Sequence, residues 1–512
     1  MDTMASFQEE NKFLHTRNNY VIAVIVFFLF FALWILFVWP AISHLWWVED
    51  DYSLLTSQAD GTFDVMNVMR SIPLSSRPIH TIWTIVKFAV ITHAPSLLGA
   101  GVVFRLIQGS IHTLCAVLAG LILARFTERK IAILTVLPFL IWPFGSEATL
   151  WTSAAIYPIA ACLSLFGILL LIGKKTVSLR RKLIGILLIT LAPFANQSAC
   201  LAGLLVYCMV LALSWNHYEH RSQLLRALPY LLAAYTLAIC LNGLMVVQTH
   251  DQRVGAFSLP DLPAHAMTQL SLTITYLLTA PFLYPRWLIR VHIVIFAFAL
   301  IAVFPLSRAK GILKIITGGL VAVLIGFIVL LLLRAPTIYT GMDWVSGRTM
   351  YLDPLLFSFA LCLILQSRLK PKLSMALVIL LLIVLAGTYY PISVANAREN
   401  VTVYTKDIET LRRLESIAWT ENTNRLLIAY LPHRRPSVNP YSVRYYDFGD
   451  VHHSVFMTWQ YSILFVELYS KQLTLETDPA LIQHCVNACP KERNPRWIGM
   501  IEKPVRALCF CP

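Results

Sequence analysis

Long apolar runs recur along most of this chain, and they constrain its fold more than any other feature. The first extends from Tyr20 to Ile42, 23 residues. At about 1.5 Å per residue, a helix of that length crosses a hydrocarbon core of about 30 Å. Of the 512 residues, 57% are apolar and 13% are charged, whereas soluble proteins average roughly 25% charged residues. The runs exclude an ordinary soluble protein and predict a membrane protein with many spans.

Clusters of Lys and Arg between the apolar runs predict the orientation. The formal net charge is +14, and we attribute the basic excess to membrane topology and not to nucleic-acid binding. The first run is too long for a cleaved signal peptide and lacks a small-residue cleavage site. Because Lys and Arg concentrate in cytoplasmic loops, six segments that hold 18 of the 41 basic residues are predicted to be cytoplasmic: 1–19, 125–130, 173–182, 215–226, 307–314 and 368–372.

This orientation predicts an all-α polytopic membrane protein with about eleven transmembrane helices. Segments 78–92 and 267–285 are predicted to lie along the interface, the second as an interfacial or re-entrant helix. Counting either as a span would place the next basic loop outside. The predicted spans are 20–42, 98–124, 131–145, 155–172, 183–194, 199–214, 226–247, 287–306, 311–334, 354–367 and 372–391.

Three regions follow from this map. Residues 1–19 form a cytoplasmic N-terminus, and residues 20–391 form a transmembrane domain whose first extracytoplasmic loop is 43–97. Residues 392–512 are predicted to be a small extracytoplasmic α/β domain. Its predicted elements are helices near 408–417 and 455–469 and strands at 425–431 and 506–510.

The ten cysteines divide between these regions. Six occur singly in apolar spans and are interpreted as small core residues: Cys115, Cys162, Cys200, Cys208, Cys240 and Cys362. The other four lie in the tail, where an even number in an oxidising compartment predicts disulfides. Bridges at 485–489 and 509–511 would close short loops, but the connectivity stays open, and a zinc site is the alternative. The tail cysteines are Cys485, Cys489, Cys509 and Cys511.

Charged side chains gather on the predicted extracytoplasmic side. Glu49, Asp50 and Asp51 follow the first span directly. Carboxylates there can act as a general base, although a solvated loop start is the alternative interpretation. Further signals on the same side are Arg77-Pro78, Pro143-x3-Glu147-x3-Trp151 and Arg348-x2-Tyr351.

Taken in this order, and with His112 in the second span, these motifs resemble the GT-C class of integral membrane glycosyltransferases over residues 20–370. That class transfers a sugar from a polyprenyl-phosphate carrier on the extracytoplasmic or lumenal side. This chain departs from the pattern at Asn196-Gln197-Ser198, where relatives often have Lys-Glu, and at Gly347, where they often have an acid. The tail lies outside the resemblance.

The resemblance implies that Asp50 is the catalytic base, with Asp51 and Glu49 as its neighbours. Arg77 and Arg348 are candidates for binding the donor phosphate, because guanidinium groups bind phosphate oxygens bidentately. Anchoring to lipid headgroups is the alternative role for both arginines. The acidic cluster can work without a metal or bind Mg²⁺ or Mn²⁺, and both alternatives stay open.

Three further residues complete the predicted substrate-binding set together with Tyr351. Arg105 and His112 are seven residues apart on one helix and therefore face the same direction. Ionisable residues within a span are functional candidates, but an interhelical hydrogen bond for His112 and outward snorkelling for Arg105 are the alternatives. Glu147 is a pocket candidate or an N-terminal helix cap.

These observations predict a glycosyltransferase in a bacterial inner membrane. The expected donor is a polyprenyl-phosphate-linked sugar, and the expected acceptor is a lipid-linked glycan such as O-antigen or another surface polysaccharide. A protein O-glycosyltransferase is the alternative within the class, and a transporter or flippase of lipid-linked sugars is the alternative outside it. A scaffold role would predict that no single acidic substitution abolishes function. Phosphate-binding loops for nucleotides are absent from the sequence, so no nucleotide or nucleic-acid partner is expected.

Overall fold

A computed structural model describes about half of the chain. The longer continuous stretches are residues 21–39, 63–72, 77–141, 152–173, 177–197, 199–214, 218–249, 371–428, 472–476, 478–489, 497–502 and 506–511. Shorter pieces between them include Tyr351 and Leu352. The predicted spans 287–306 and 311–334, and the predicted interfacial segment 267–285 except for Met267, lie outside the described residues.

The described part is mostly helical. The helices, numbered in chain order, are α1 Val21–Trp39, α2 Val65–Ser71, α3 Pro78–His93, α4 Leu97–Leu123, α5 Arg129–Ile141, α6 Ile156–Leu171, α7 Leu179–Leu191, α8 Ala202–Leu213, α9 Tyr218–Thr249, α10 Pro371–Thr420 and α11 Pro479–Ala488. Short 3-10 helices at Thr152–Ala155, Ala192–Phe194 and Ala199–Leu201 connect some of them.

Three of the described helices are long and apolar enough to cross a membrane. They are α1, α4 and the Tyr218–Met245 part of α9. Each of the three coincides with a predicted span, although α9 begins eight residues before the predicted start at 226. The shorter helix α7 likewise begins four residues before the start predicted for its span at 183. Both early starts lie in segments predicted to be basic cytoplasmic loops, so the helices extend beyond their apolar parts.

Close backbone approaches hold these helices together. Trp34 of α1 lies directly against Gly109 of α4. Gly167 of α6 and Gly185 of α7 face each other, so that an added Cβ on Gly185 would lie 3.0 Å from the backbone oxygen of Gly167. Small residues at helix contacts allow this approach in membrane proteins.

Arg125 stabilises the ends of α4 and α6 on the predicted cytoplasmic side. Its guanidinium donates to the backbone oxygen of Leu169 at 2.8 Å and also to that of Ile172. Both carbonyls lie at the C-terminal end of α6, where helices lack internal partners. Burial lowers the pKa of Arg125, and repulsion from Arg181 lowers it further.

Helix α10 is 50 residues long, which corresponds to roughly 75 Å. This exceeds the thickness of a membrane, so the helix extends well beyond its apolar N-terminal part. The predicted boundary at 391/392 falls within the helix. Its C-terminal turns bury Leu411, Leu414 and Ala418 in a cluster that also contains Leu426 and Phe510 of the tail.

The tail contains a four-stranded mixed sheet. The strands are β1 Arg425–Ile428, β2 Thr474–Leu475, β3 Trp497–Ile501 and β4 Ala507–Cys511, in the order β2-β1-β4-β3. Strand β1 is parallel to β2 and β4, whereas β3 is antiparallel to β4. The strand predicted at 506–510 is confirmed as β4. The strand predicted at 425–431 is confirmed over residues 425–428 as β1, and its residues 429–431 lie outside the described part of the chain.

The cysteine bridge in the tail differs from the short loops that we considered. A disulfide joins Cys485 of α11 to Cys509 of β4, 24 residues apart. Cys489 is also disulfide-bonded. The helix therefore is bonded to the sheet, and the bonded thiols do not favour the zinc alternative.

We expect Gly167→Ala to destabilise the bundle. The added methyl group would lie 2.6 Å from Cγ1 of Ile189 and 2.8 Å from the backbone oxygen of Gly185. Overpacking of this kind costs about 1–3 kcal/mol, so the melting temperature in detergent should fall. The matched control is Gly243→Ala, because an added Cβ there meets nothing within 4 Å among the described residues. Equal melting temperatures for the two variants would contradict the close contact between α6 and α7.

Non-reducing peptide mapping should recover a linked peptide pair that contains Cys485 and Cys509. Replacing both with Ala should lower the stability of the tail by about 3 kcal/mol on the chain-entropy estimate for a loop of this size. Replacing the membrane cysteines Cys162 and Cys240, which are free thiols, is the control and should leave tail unfolding unchanged. Recovery of a 485–489 linkage instead would refute the observed pairing.

Candidate functional site

A polar stripe runs along one side of α4 in the interior of the bundle. Arg105, Gln108 and His112 are spaced by three and four residues, which places them on one helix face. Arg105 is 1% exposed, and Gln108 and His112 are also buried. The predicted shared direction of Arg105 and His112 is thus confirmed, and the alternative that Arg105 snorkels into solvent is wrong. Neighbouring side chains cover Arg105, so its charge lies inside the protein.

His112 joins two distant parts of the chain. Its Nδ1 lies 2.9 Å from the hydroxyl of Tyr351, and its Nε2 lies 3.3 Å from the backbone oxygen of Leu140. Because a carbonyl only accepts, Nε2 carries the proton and donates to Leu140. Nδ1 is then an acceptor, and the Tyr351 hydroxyl donates to it. The hydrogen bonds assign one neutral tautomer to the ring.

Aromatic packing holds this pair in place. The ring of Phe139 lies 4.9 Å from the centroid of His112 and 5.3 Å from that of Tyr351. Tyr351 is buried. The alternative of an interhelical hydrogen bond for His112 therefore describes what the structure shows.

Helix α3 carries two further cations toward α4. It starts at Arg77-Pro78, where proline suits the first helical position because its missing N–H would lack a partner there. Trp83, Lys87 and Ile91 are its buried residues, four residues apart on one face. Trp83 packs edge-on against Phe104 of α4, with ring centroids 6.3 Å apart. Lys87 lies one turn further along the same buried face of α3.

Arg77 donates to one amide side chain, which in turn donates to a second. Its Nη2 donates to Oε1 of Gln197 at 2.9 Å, and Nε2 of Gln197 donates to Oδ1 of Asn242 at 3.4 Å. Gln197 lies between two 3-10 helices that follow α7, and Asn242 lies on α9. The three side chains connect α3, this turn and α9.

The predicted site residues fall into two groups. The structure brings His112 and Tyr351 into contact and places Arg105 on the same face of α4 as His112. Arg77 lies at the start of the adjoining helix α3. The remaining predictions lie outside the described residues: Glu49, Asp50, Asp51, Glu147 and Arg348.

Sequence analysis missed four polar residues near these helices. Lys87 was treated as part of an interfacial helix, but its spacing from Trp83 and Ile91 already indicated the buried face. Asp407 of α10 is buried and shares a face with Leu411 and Leu414, which the same periodicity could have shown. No local pattern identified Gln197 and Asn242 as partners, because they are far apart in sequence.

Three cationic side chains belong to this part of the structure. Arg77 immediately precedes α3, and Lys87 of α3 and Arg105 of α4 are buried. Guanidinium and ammonium groups withdrawn from water interact strongly with phosphate. Among the described residues, the ligand-type side chains that come close enough to share a metal are Cys485, Cys489 and Cys509 of the tail. They lie outside this cationic region, and two of them are bonded to each other.

Comparisons with known proteins add no relative to this picture: no family model, no curated protein and no solved structure matches the chain.

Tyr351→Phe should destabilise the bundle by about 1–3 kcal/mol, because it leaves the buried Nδ1 acceptor of His112 without its donor. The measurement is thermal unfolding in detergent. Combining Tyr351→Phe with His112→Ala should cost less than the sum of the single changes, since both remove the same bond. Tyr218→Phe, at a tyrosine that is 75% exposed, is the control. Additive effects of the two substitutions would show that the bond does not form.

Proposed function

We propose that this chain is a multi-spanning glycosyltransferase that resembles the GT-C class. In this proposal it takes a sugar from a polyprenyl-phosphate-linked donor and transfers it to a glycan acceptor on the extracytoplasmic face of a bacterial inner membrane. O-antigen or another lipid-linked surface polysaccharide is the acceptor that we favour.

The proposal is supported by the burial of two cationic side chains, Lys87 of α3 and Arg105 of α4. These two helices pack against each other through Trp83 and Phe104, and Arg77 immediately precedes α3. The leaving group of such a donor is a polyprenyl phosphate. Its lipid chain is held in the membrane, so its negative charge stays at the protein's membrane domain. The charge that grows on the leaving phosphate can be stabilised by these groups.

The reaction also needs a base, and Asp50 is the candidate. In the proposed step the acceptor oxygen bonds to the anomeric carbon while the bond from that carbon to the phosphate oxygen breaks. The phosphate leaves with the bonding electron pair, and the acceptor proton passes to the carboxylate of Asp50. Asp51 and Glu49 adjust the local field, and Arg348 joins the phosphate-binding set.

A transfer assay tests the proposal directly. Purified full-length protein in proteoliposomes is given a panel of polyprenyl-phosphate sugars together with glycan acceptors, and product is measured with and without EDTA. The proposal predicts sugar transfer with at least one donor. Movement of labelled lipid across the bilayer with no transfer would instead support the flippase alternative and overturn the proposal. Loss of transfer in EDTA would indicate a metal at the acidic cluster.

Asp50→Asn should lower transfer at least about a hundredfold, because general-base contributions are typically about 10²–10⁴-fold. The amide keeps the size of the side chain but cannot take the proton, so the membrane-inserted amount should stay normal. Glu49→Gln is the matched control and should have a milder effect. If Asp51→Asn abolished transfer while Asp50→Asn did not, the base would be Asp51. Full activity in both aspartate variants would remove the main chemical support for a transferase.

A further inference from the structure

Two free thiols meet where α4 packs against α6. Cys115 of α4 is fully buried, and its Sγ donates a hydrogen bond to the backbone oxygen of Pro158 on α6 at 3.2 Å. Cys162 lies one helical turn after Pro158 on α6, and its thiol interacts directly with that of Cys115. Both cysteines are reduced. They therefore form a dithiol that joins two packed helices.

The contacts give the two thiols different roles. The single proton of Cys115 is directed to the carbonyl of Pro158, so its sulfur is left to accept from the thiol of Cys162. Cys162 is only partly buried, whereas Cys115 is fully buried. A reagent that enters the bundle therefore reaches the sulfur of Cys162 first and finds Cys115 beside it. An accessible thiol next to a second, resolving thiol is the arrangement of redox-active cysteine pairs.

We propose that Cys115 and Cys162 are a redox-active pair that forms a reversible disulfide between α4 and α6 by exchange with a small, apolar disulfide. A cysteine that serves only as a small core residue needs no partner thiol, and direct contact between thiols of two helices distinguishes this pair. The modification site lies next to Tyr351, whose side chain interacts with Cys115 and whose hydroxyl bonds to His112. The inference does not depend on glycosyl transfer.

The exchange takes two balanced steps. The thiolate of Cys162 attacks one sulfur of the reagent, the bond between the two reagent sulfurs breaks, and one reagent thiol leaves. The thiolate of Cys115 then attacks the Cys162 sulfur of the mixed disulfide, and the second reagent thiol leaves with the bonding electron pair. The two cysteine protons end on the two released thiols. The cysteine pair is thereby oxidised by two electrons, and the reagent is reduced by two.

The test treats purified full-length protein in nanodiscs with dithiodipyridine, an uncharged disulfide that enters apolar environments. After the remaining thiols are alkylated, the protein is digested and its peptides are mapped without reduction. We expect a linked peptide pair that contains Cys115 and Cys162, and dithiothreitol should separate it. Cys240 of α9, a free and exposed thiol, is the matched control. It should carry only the mixed disulfide with thiopyridine.

Cys115→Ser removes the resolving thiol. The mixed disulfide at Cys162 should persist in this variant, whereas in the wild type it should disappear at least about tenfold faster, because attack by a neighbouring thiol is intramolecular. If Cys115→Ser does not insert stably, the wild-type peptide map decides alone. A wild-type protein in which Cys240 has reacted fully would overturn the inference if Cys115 and Cys162 stay reduced, or if either carries a lasting mixed disulfide without a link between them.

Discussion

The buried polar stripe of α4 is the constraint on which the rest of the described structure depends. Arg105, Gln108 and His112 are carried into the interior by a helix that is otherwise apolar. Buried polar groups are costly without partners, so neighbouring elements must supply them. Tyr351 and the last turn of α5 do so for His112. Helix α3 covers the turn of Arg105 through the contact of Trp83 with Phe104. The position of the candidate site follows from this stripe.

Helix α3 packs against α4 and also contributes to a buried cluster that contains residues of the tail. Trp83 and Ile91 of α3 belong to one buried cluster with Leu411 of α10 and with Leu508 and Phe510 of β4. The end of the long α10, strand β4 and helix α3 therefore contribute to the same buried apolar cluster.

The sequence could predict elements whose signal is local. The length and hydropathy of α1, α4 and α9 indicated helices that can cross a membrane, and spacing placed Arg105 and His112 on one face. Contacts between distant residues could not be read in this way. His112 and Tyr351 are 239 positions apart, and hydropathy does not identify a partner. The Cys485–Cys509 bridge was one of several connectivities that four cysteines allow. The early start of α9 was missed because its first turns are charged, and charge was taken as the mark of a loop.

The measurement that tests the account most directly is photo-crosslinking with a polyprenyl phosphate that carries a photoreactive group next to the phosphate, followed by peptide mapping of the labelled full-length protein in membranes. The account predicts labels in α3 and in the first half of α4, around Lys87 and Arg105, and loss of these labels in the presence of excess unlabelled polyprenyl phosphate. Labels confined to the basic segments 125–130 and 173–182, which are predicted to be cytoplasmic, would contradict it.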